Sequence, residues 1–201
     1  MTAAWVFGIL AGYAIVWPIY PEGTALAPLS EDETLFIWDF RAGDLHHSMY
    51  DDVPAVQIQQ DGTVWVYRHR FQKKPGWFSM KLSNQELQRL IEQIQASNIF
   101  ELSGQQIRET ADEARLLAIQ GGRRNTFWTS SAIYLFRFYD RSQASTQVGM
   151  REVRLLDLFQ YEKYYPEITS LKDAIAIARK MREIYRDPRL EAKSETTRPE
   201  E

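Results

Sequence analysis

The N-terminal end of the chain carries an uncharged, largely apolar run that constrains its structure more than any other feature. No charged side chain occurs from residue 2 to residue 21. A run of about 20 residues is what a helix needs to cross a hydrocarbon core of roughly 30 Å. Aromatic side chains of the kind that anchor spans at the membrane interface stand near its two ends: Trp5, Trp17 and Tyr20. We therefore predict a single transmembrane anchor over residues 1–21.

A cleaved signal peptide is the alternative interpretation of this segment. Ala25-Leu26-Ala27 has the small-x-small form of a cleavage site. A signal peptide normally opens with basic residues, however, and no Lys or Arg precedes Arg41. Pro28 would also follow the cut directly and hinder the extended backbone that a peptidase needs. We favour the retained anchor, and we expect the globular domain on the periplasmic or extracytoplasmic side, although the positive-inside rule has few charges to count.

Small residues recur at every fourth position within the predicted span, at Ala4, Gly8 and Gly12. Residues at this spacing share one helix face and allow another helix to approach closely. The functional interpretation is docking against a partner helix, either of a second copy or of another subunit. Gly and Ala are common in transmembrane helices, so a chance origin of this spacing is as well supported as helix docking.

The remaining chain has the composition of a folded domain between two polar segments. The whole 201-residue chain is 44% hydrophobic, 13% aromatic and 25% charged. We expect a linker over residues 22–33, an α+β domain over 34–187 and a disordered charged tail over 188–201. The domain is predicted to be an antiparallel sheet packed with helices on one face.

Alternating apolar residues and turn signals indicate the strands. Residues 34–40 and a segment from Pro54 predict two strands, and Asp61-Gly62 predicts a hairpin turn into a third over 63–67. Further strands are expected over three later segments: 77–82, 127–139 and 146–155.

Capping and periodicity indicate the helices. Ser83 and Glu86 have the spacing of a capping box, and Leu82 and Leu87 that of a hydrophobic staple. An apolar stripe at helical spacing follows. Two more helices are predicted, one over 107–119 before Gly121-Gly122 and one from Ser170 onwards.

These structural motifs resemble a group of bacterial secreted or membrane-anchored proteins of unknown function. They share a Pro-led strand with an Asp-Gly-x-Val hairpin, a Leu-Ser-x-x-Glu-Leu helix start, an aromatic-Leu segment after that helix and a Pro-led entry to the final helix. The corresponding segments here are 54–64, 81–87, 98–102 and 165–171, within residues 35–185. The chain departs from the group between Gln105 and Thr129. The resemblance implies an extracytoplasmic α+β domain and supplies no catalytic residues.

One polar loop could bind a metal ion. It concentrates carboxylates and imidazoles at Asp44, His46, His47 and Asp51, and such groups are ligands for zinc or manganese. Adjacent histidines point apart on a regular backbone, however, so both cannot easily reach one ion. We favour a polar surface loop and predict no metal or other cofactor.

A basic and aromatic stretch follows the hairpin turn. Between Asp61 and Glu86 every charged residue is basic, with aromatic residues interleaved. The predicted surface comprises Arg68, Arg70, Lys73, Lys74 and Trp77. On a tethered domain it would face lipid head groups or an acidic partner subunit. A solvated hairpin is the simpler interpretation, and nucleic acid is disfavoured.

A second aromatic cluster precedes Pro166: Phe159, Tyr161, Tyr164 and Tyr165. It could form an exposed docking patch, but packing beneath the final helix is favoured.

The sequence lacks the common signatures of catalysis. It has no cysteine, which excludes disulfides and thiolate sites. It also lacks the phosphate-binding loop, the dinucleotide fingerprint, the nucleophile elbow and the H-E-x-x-H metal motif.

We therefore expect a non-enzymatic accessory subunit of a membrane complex, such as a photosynthetic or respiratory assembly, with integral-membrane subunits and lipids as partners. The alternative is a free-standing, membrane-anchored module that binds a small ligand or envelope component. A hydrolase or metal-dependent enzyme centred on the His46-His47 loop is a third, less favoured hypothesis.

Overall fold

The computed structural model describes residues 33–42, 53–69, 71–122, 132–140, 149–166 and 168–193. Within these residues the strands are β1 (Thr34–Ala42), β2 (Val56–Gln59), β3 (Thr63–Arg68), β4 (Gly76–Lys81), β5 (Ala132–Asp140), β6 (Gly149–Leu156) and β7 (Glu191–Ala192). The helices are α1 (Asn84–Ala96), α2 (Gly104–Gln120), α3 (Leu158–Tyr164) and α4 (Lys172–Tyr185). Two short 3-10 helices span Ile99–Glu101 and Thr169–Leu171.

All seven strands form one antiparallel sheet in the order β6-β5-β1-β2-β3-β4-β7. The chain is therefore α+β with an antiparallel sheet, as the sequence predicts. Strands β1 to β4 are arranged as successive neighbours. The next strand, β5, returns to the far side of β1 and pairs Phe36 with Phe138 and Ala42 with Ala132.

One face of the sheet, called here the helix face, carries the hydrophobic core. Its strand residues alternate along the chain and stand opposite one another in register: Phe36, Trp38, Val56, Ile58, Val64, Val66, Phe78, Met80, Phe136, Phe138, Val153 and Leu155. All four helices contribute their buried side chains to the same cluster. Because strand side chains alternate, the intervening residues lie on what we call the second face. Among the described residues that face carries no helix.

The β2–β3 hairpin turns at Asp61-Gly62, as predicted. Gly62 has a φ of +85°, and an added Cβ would lie 3.1 Å from the carbonyl oxygen of Leu82. The Asp61 carboxylate accepts a hydrogen bond from the Thr63 amide at 2.8 Å and pairs with the Lys81 ammonium group. The Lys81 contact first, and the Thr63 amide second, lower the pKa of Asp61 to about 2.

Helix α1 begins with the predicted capping box. The Ser83 Oγ accepts a hydrogen bond from the Glu86 amide at 3.2 Å, and the Glu86 carboxylate accepts one from the Ser83 amide at 2.8 Å. Two orphan amides at the helix start are thereby satisfied. Leu90 and Ile94 are buried in the core.

Helix α3 was not predicted, because its start is set by an unusual backbone conformation. Asp157, just before the helix, has a φ of 53°. Its amide donates to the Ala132 carbonyl at 2.8 Å, and its carboxylate accepts from the Ala132 amide at 2.7 Å. This exchange closes the end of the β5–β6 pair and turns the chain into α3. Tyr161 and Tyr165 are buried in the core beside α4, so the predicted packing of the aromatic run beneath the final helix is confirmed.

Helix α4 is joined to the sheet by an arginine set among aromatic rings. The Arg182 guanidinium lies 3.8 Å from the ring centre of Phe159 and 5.5 Å from that of Phe40. It also donates a hydrogen bond to the Tyr134 hydroxyl at 3.1 Å. Burial raises the pKa of Tyr134 to about 12, against the lowering effect of the Arg182 charge. The phenol therefore remains neutral and accepts this bond throughout the physiological range.

The ordered domain continues past residue 187, where the sequence analysis places its boundary. Strand β7 pairs Glu191 with Ser79 and Ala192 with Phe78. The Lys193 amide then donates to the Trp77 carbonyl at 2.9 Å. Glu191 and Ala192 therefore belong to the sheet, and residues 188–190 form the turn that leads to them, whereas the sequence analysis expects a disordered tail from residue 188. A two-residue strand has no periodicity of its own, which is why the sequence did not indicate it.

The predicted anchor lies outside the described residues. Among the helices that the structure does describe, none is long and apolar enough to span a bilayer.

Candidate functional site

A row of aromatic side chains follows the β3–β4 hairpin on the second face. Trp65 and Tyr67 alternate along β3, and Tyr67 stands opposite Trp77 of β4. The ring centres of Trp65 and Trp77 are 6.1 Å apart, and those of Tyr67 and Trp77 are 5.0 Å apart. All three side chains are half-buried. We call Trp65, Tyr67 and Trp77 the aromatic row.

Two further rings extend the row to the end of the hairpin. The His69 ring meets the edge of Tyr67 at 5.3 Å and stacks on Phe71 at 5.6 Å, with only 4° between the ring planes. His69 is buried, whereas Phe71 is 37% exposed. The row therefore runs from the middle of β3 to an exposed aromatic residue at the turn.

The turn itself is basic and is held in place by α4. The Gln72 amide donates to the His69 carbonyl at 2.8 Å, and the Gln72 side chain accepts a hydrogen bond from the Tyr185 hydroxyl. Lys73 and Lys74 are both exposed, and Lys74 has a left-handed backbone with a φ of 59°. We call Lys73 and Lys74 the basic tip. It presents two exposed lysines in the same turn as the exposed Phe71.

Arg68 does not belong to this surface, although the sequence places it there. It shares the helix face with Val64 and Val66, and its guanidinium lies 4.2 Å from the ring centre of Phe78. It also donates to the Tyr185 carbonyl at 3.4 Å, at the C-terminal end of α4. A cation at this position is favoured by the helix dipole. Arg68 is therefore a packing residue between sheet and helix.

The predicted basic and aromatic surface is thus divided by the sheet. Arg68 points to the helix face and Trp77 to the second face, while Lys73 and Lys74 extend from the turn between them. Arg70 lies outside the described residues. The structure brings Trp77 together with Trp65 and Tyr67, which the sequence analysis does not name as site residues. Their signal was present in the alternation of the strand Thr63–Arg68.

The other end of the second face carries a charged network that sequence reasoning missed. Arg137 of β5 donates to the Glu152 carboxylate at 2.6 and 2.9 Å, and Arg154 donates to the other carboxylate oxygen at 2.9 Å. Burial raises the pKa of Glu152, but the bonds and charges of Arg137 and Arg154 outweigh this and the net pKa lies below its ordinary value. Such a carboxylate stays ionised at neutral pH and is a weak base. The network suits cohesion of the sheet better than proton transfer.

The polar side chains in the middle of the second face are buried and hydrogen-bonded. Asp39 is buried there, where its carboxylate accepts bonds from Arg41 at 2.8 Å and from the Ala55 amide at 3.2 Å. Gln57 is also buried and donates to Thr34 at 2.6 Å. The second face is therefore accessible towards its two ends: at β5–β6, where Arg154 is exposed, and at β3–β4, where the aromatic row lies.

The remaining predicted site residues lie outside the described part of the chain. These are the helix-docking residues Ala4, Gly8 and Gly12, the anchors Trp5, Trp17 and Tyr20, and the metal candidates Asp44, His46, His47 and Asp51. Among the residues that the structure does describe, no group of three or more His, Asp or Glu side chains is placed to hold a metal ion.

Comparison with known protein families, with curated proteins and with solved structures finds no match to this chain. The resemblance to bacterial extracytoplasmic domains therefore rests on the sequence motifs alone. What the structure adds is a surface on which half-buried aromatic rings lead to two exposed lysines.

Proposed function

We propose that this chain is a non-enzymatic accessory subunit that stabilises a membrane protein complex. Residues 1–21 anchor it by one span, and the α+β domain docks against the extracytoplasmic surface of partner subunits. The docking surface is the aromatic row together with the basic tip. The proposal names a class of partner, integral-membrane subunits with an acidic exposed surface, and no particular complex.

The aromatic row is the observation that carries this proposal. Trp and Tyr supply large contact areas with little side-chain entropy, and they are enriched at the centres of protein interfaces. Trp65, Tyr67 and Trp77 are mutually packed yet only half-buried. Their geometry is therefore set before a partner arrives, which lowers the cost of ordering them on binding.

The charge of the basic tip selects the partner. Lys73 and Lys74 are exposed, and no acidic residue occurs in the sequence between Asp61 and Glu86. Complementary charge across an interface raises the association rate and disfavours partners of like charge. An acidic protein surface fits this end of the hairpin. Binding of anionic lipid head groups is the competing outcome, and the experiment below separates the two.

The first experiment is a gentle-detergent purification of the tagged full-length protein from its own cells, with mass spectrometry of native-sized fractions. We expect stable co-migration with integral-membrane subunits. The pair Lys73→Glu with Lys74→Glu should remove the partners while leaving the thermal unfolding of the domain intact. Trp77→Ala should also remove the partners, and it should lower the unfolding temperature because its packing against Trp65 and Tyr67 is lost. Gly8→Leu with Gly12→Leu tests the contribution of the span.

A matched charge reversal elsewhere provides the control. Arg89 and Lys172 are exposed on α1 and α4, so Arg89→Glu with Lys172→Glu changes the net charge equally and should leave co-migration unchanged. If the protein runs alone in every form, the docking proposal fails and a free-standing binding module takes its place. If partners persist but the Lys73 and Lys74 variant no longer binds anionic vesicles, the surface binds head groups instead.

A further inference from the structure

Strand β6 ends the sheet on one side, and in the described sheet β5 is its only neighbour. The bond at the end of this pair shows which backbone groups of β6 point away from β5. The Asp157 amide donates to the Ala132 carbonyl, so these two residues form a hydrogen-bonded pair. Bonded and non-bonded pairs alternate along an antiparallel ladder. Counted back from Asp157 in this register, the amides and carbonyls of Met150, Glu152 and Arg154 point outwards in the plane of the sheet.

One part of this outer edge is covered and the other part is exposed. A Cβ added to Gly104, at the start of α2, would lie 3.5 Å from the outward carbonyl oxygen of Arg154, so α2 lies against the edge there. Nearer the start of β6, Met150 is 54% exposed and the Arg151 side chain is 46% exposed. No backbone group among the described residues bonds to the outward side of residues 149–153. We call residues 149–153 the open edge.

The backbone of the open edge specifies an extended polypeptide as its ligand. Its outward amides and carbonyls recur at every second residue, and only another extended backbone can pair with such groups in series. Strand addition of this kind takes its affinity from main-chain hydrogen bonds and its specificity from the alternate side chains. Because α2 lies against the edge at Arg154, the added segment is short.

The side chains of the open edge favour an acidic segment. The Arg151 guanidinium lies on the helix face, 5.2 Å from the ring centre of Phe100 and 4.0 Å from the Asp140 carboxylate. At 4.0 Å it makes no hydrogen bond to that carboxylate, so it can bind another one. Side chains directly opposite each other on paired strands stand about 5 Å apart at Cβ. Met150 lies on the second face, where an apolar residue of the added strand would cover it.

We propose that the open edge binds an extended segment of a partner protein by strand addition, with an acidic side chain opposite Arg151 and an apolar one opposite Met150. The added segment extends the sheet beyond β6, at the opposite end from the aromatic row. This contact needs neither the span nor the basic tip, and it therefore goes beyond the docking function proposed above. The edge arginine also disfavours basic strands, since like charges directly opposite each other repel.

NMR titration of the full-length protein in detergent micelles with synthetic peptides tests the proposal. The probe is acetyl-Thr-Val-Thr-Glu-Val-Thr-amide, which in antiparallel pairing places Glu opposite Arg151 and Val opposite Met150. We expect it to shift the amide signals of Met150 and Glu152 and to slow their hydrogen exchange, because both amides become bonded. The amides of Arg151 and Val153 already bond to β5 and should exchange slowly without peptide. A control peptide with Lys in place of Glu should bind at least about tenfold more weakly.

Two variants and a matched control locate the contact. Met150→Pro removes an outward amide and no bond to β5, a change that edge strands tolerate. It should abolish the shift at Glu152 and leave the unfolding temperature close to that of the parent. Arg151→Glu should reverse the preference, so that the Lys peptide binds more tightly than the Glu peptide. Arg89→Glu makes the same charge change on the exposed side of α1 and should leave the preference as it was.

The outcomes separate this site from the docking surface. Unmoved signals of Met150 and Glu152 at millimolar peptide overturn the proposal, and so does equal binding of the two peptides. A Glu peptide that shifts Lys73 and Lys74 instead refutes the open-edge site and supports the acidic preference of the basic tip. Peptide binding at the open edge, by a protein that purifies without subunits, upholds this inference and refutes the docking function.

Discussion

Arg189 and Glu86 are joined by two hydrogen bonds of 3.0 and 3.3 Å, although 103 positions separate them in the sequence. Arg189 lies between α4 and β7, and Glu86 is the acidic member of the capping box of α1. The Glu86 carboxylate therefore caps the N-terminus of α1 and also binds the C-terminal segment to it. The Arg189 bonds first, and the Ser83 bonds second, lower the pKa of Glu86 to about 2.

Removing the guanidinium should return Glu86 towards ordinary behaviour. In Arg189→Gln we expect the pKa of Glu86 to rise towards 4.5, as followed by carboxyl-carbon NMR during an acid titration. Because the folded pKa is below the unfolded one, the contact stabilises the protein above about pH 4.5 and is lost as pH falls towards 2. Asp61 is the internal control: its pKa of about 2 depends on Lys81 and must not move. An unchanged Glu86 would show that the contact is absent in solution.

The capping box can be tested separately from the ion pair. Ser83→Ala removes the hydroxyl that accepts the Glu86 amide, and we expect a loss of about 1 kcal/mol in the free energy of unfolding, measured by urea denaturation. Ser83→Asp supplies another acceptor and should restore most of it. Ser170→Ala, in the exposed part of a 3-10 helix, should change little. Equal stability of the two alanine variants would contradict the assignment of the cap.

The division of the basic residues between the two faces predicts that their removal has unequal effects on stability. Arg68→Ala removes the contacts with Phe78 and with the end of α4, and it should cost about 1 kcal/mol in thermal unfolding. Lys73→Ala touches only an exposed side chain and should stay within about 0.5 kcal/mol of the parent. A destabilised Lys73 variant beside a stable Arg68 variant would reverse the placement given above.

The residues of the charged network on the second face should contribute unequally to the free energy of unfolding. Glu152→Ala leaves Arg137 half-buried without its carboxylate, and we expect a loss of about 1–2 kcal/mol in the free energy of unfolding. Arg154→Ala removes a more exposed partner and should cost at most about 0.5 kcal/mol. Chemical denaturation of the two variants and of the double variant measures the coupling. Equal losses would mean that Glu152 is held mainly by Arg154.

Local signals predicted the parts of this fold that short stretches of chain determine. The Asp61-Gly62 turn and the Ser83 capping box appear as the sequence indicates, because each needs only a few neighbouring residues. The alternation of residues along β3 also predicts the orientation of Arg68, because it lies two and four positions from Val66 and Val64 and so shares their face. Its charge instead groups it with the lysines of the turn, and the strand period is the stronger of the two signals.

Other parts depend on distant segments and could not be predicted in this way. The turn at Asp157 is defined by its exchange with Ala132, and β7 exists because Glu191 and Ala192 meet an edge of β4. The Arg137–Glu152 pair likewise requires the register of β5 with β6. The aromatic row lies between these cases: alternation places Trp65 and Tyr67 on one face, but only the β3–β4 register adds Trp77.

The position of β1 between β5 and β2 also determines when the sheet can be completed. Its pairing with β5 joins residue 36 to residue 138, whereas β1 to β4 pair with neighbours close in sequence. Ribosomes add roughly 5–20 residues per second, so one edge of β1 waits about 5 to 20 s for its partner strand during synthesis. Throughout that interval the nascent chain exposes a long apolar strand edge, which makes it a target for chaperones and for pairing with other nascent copies.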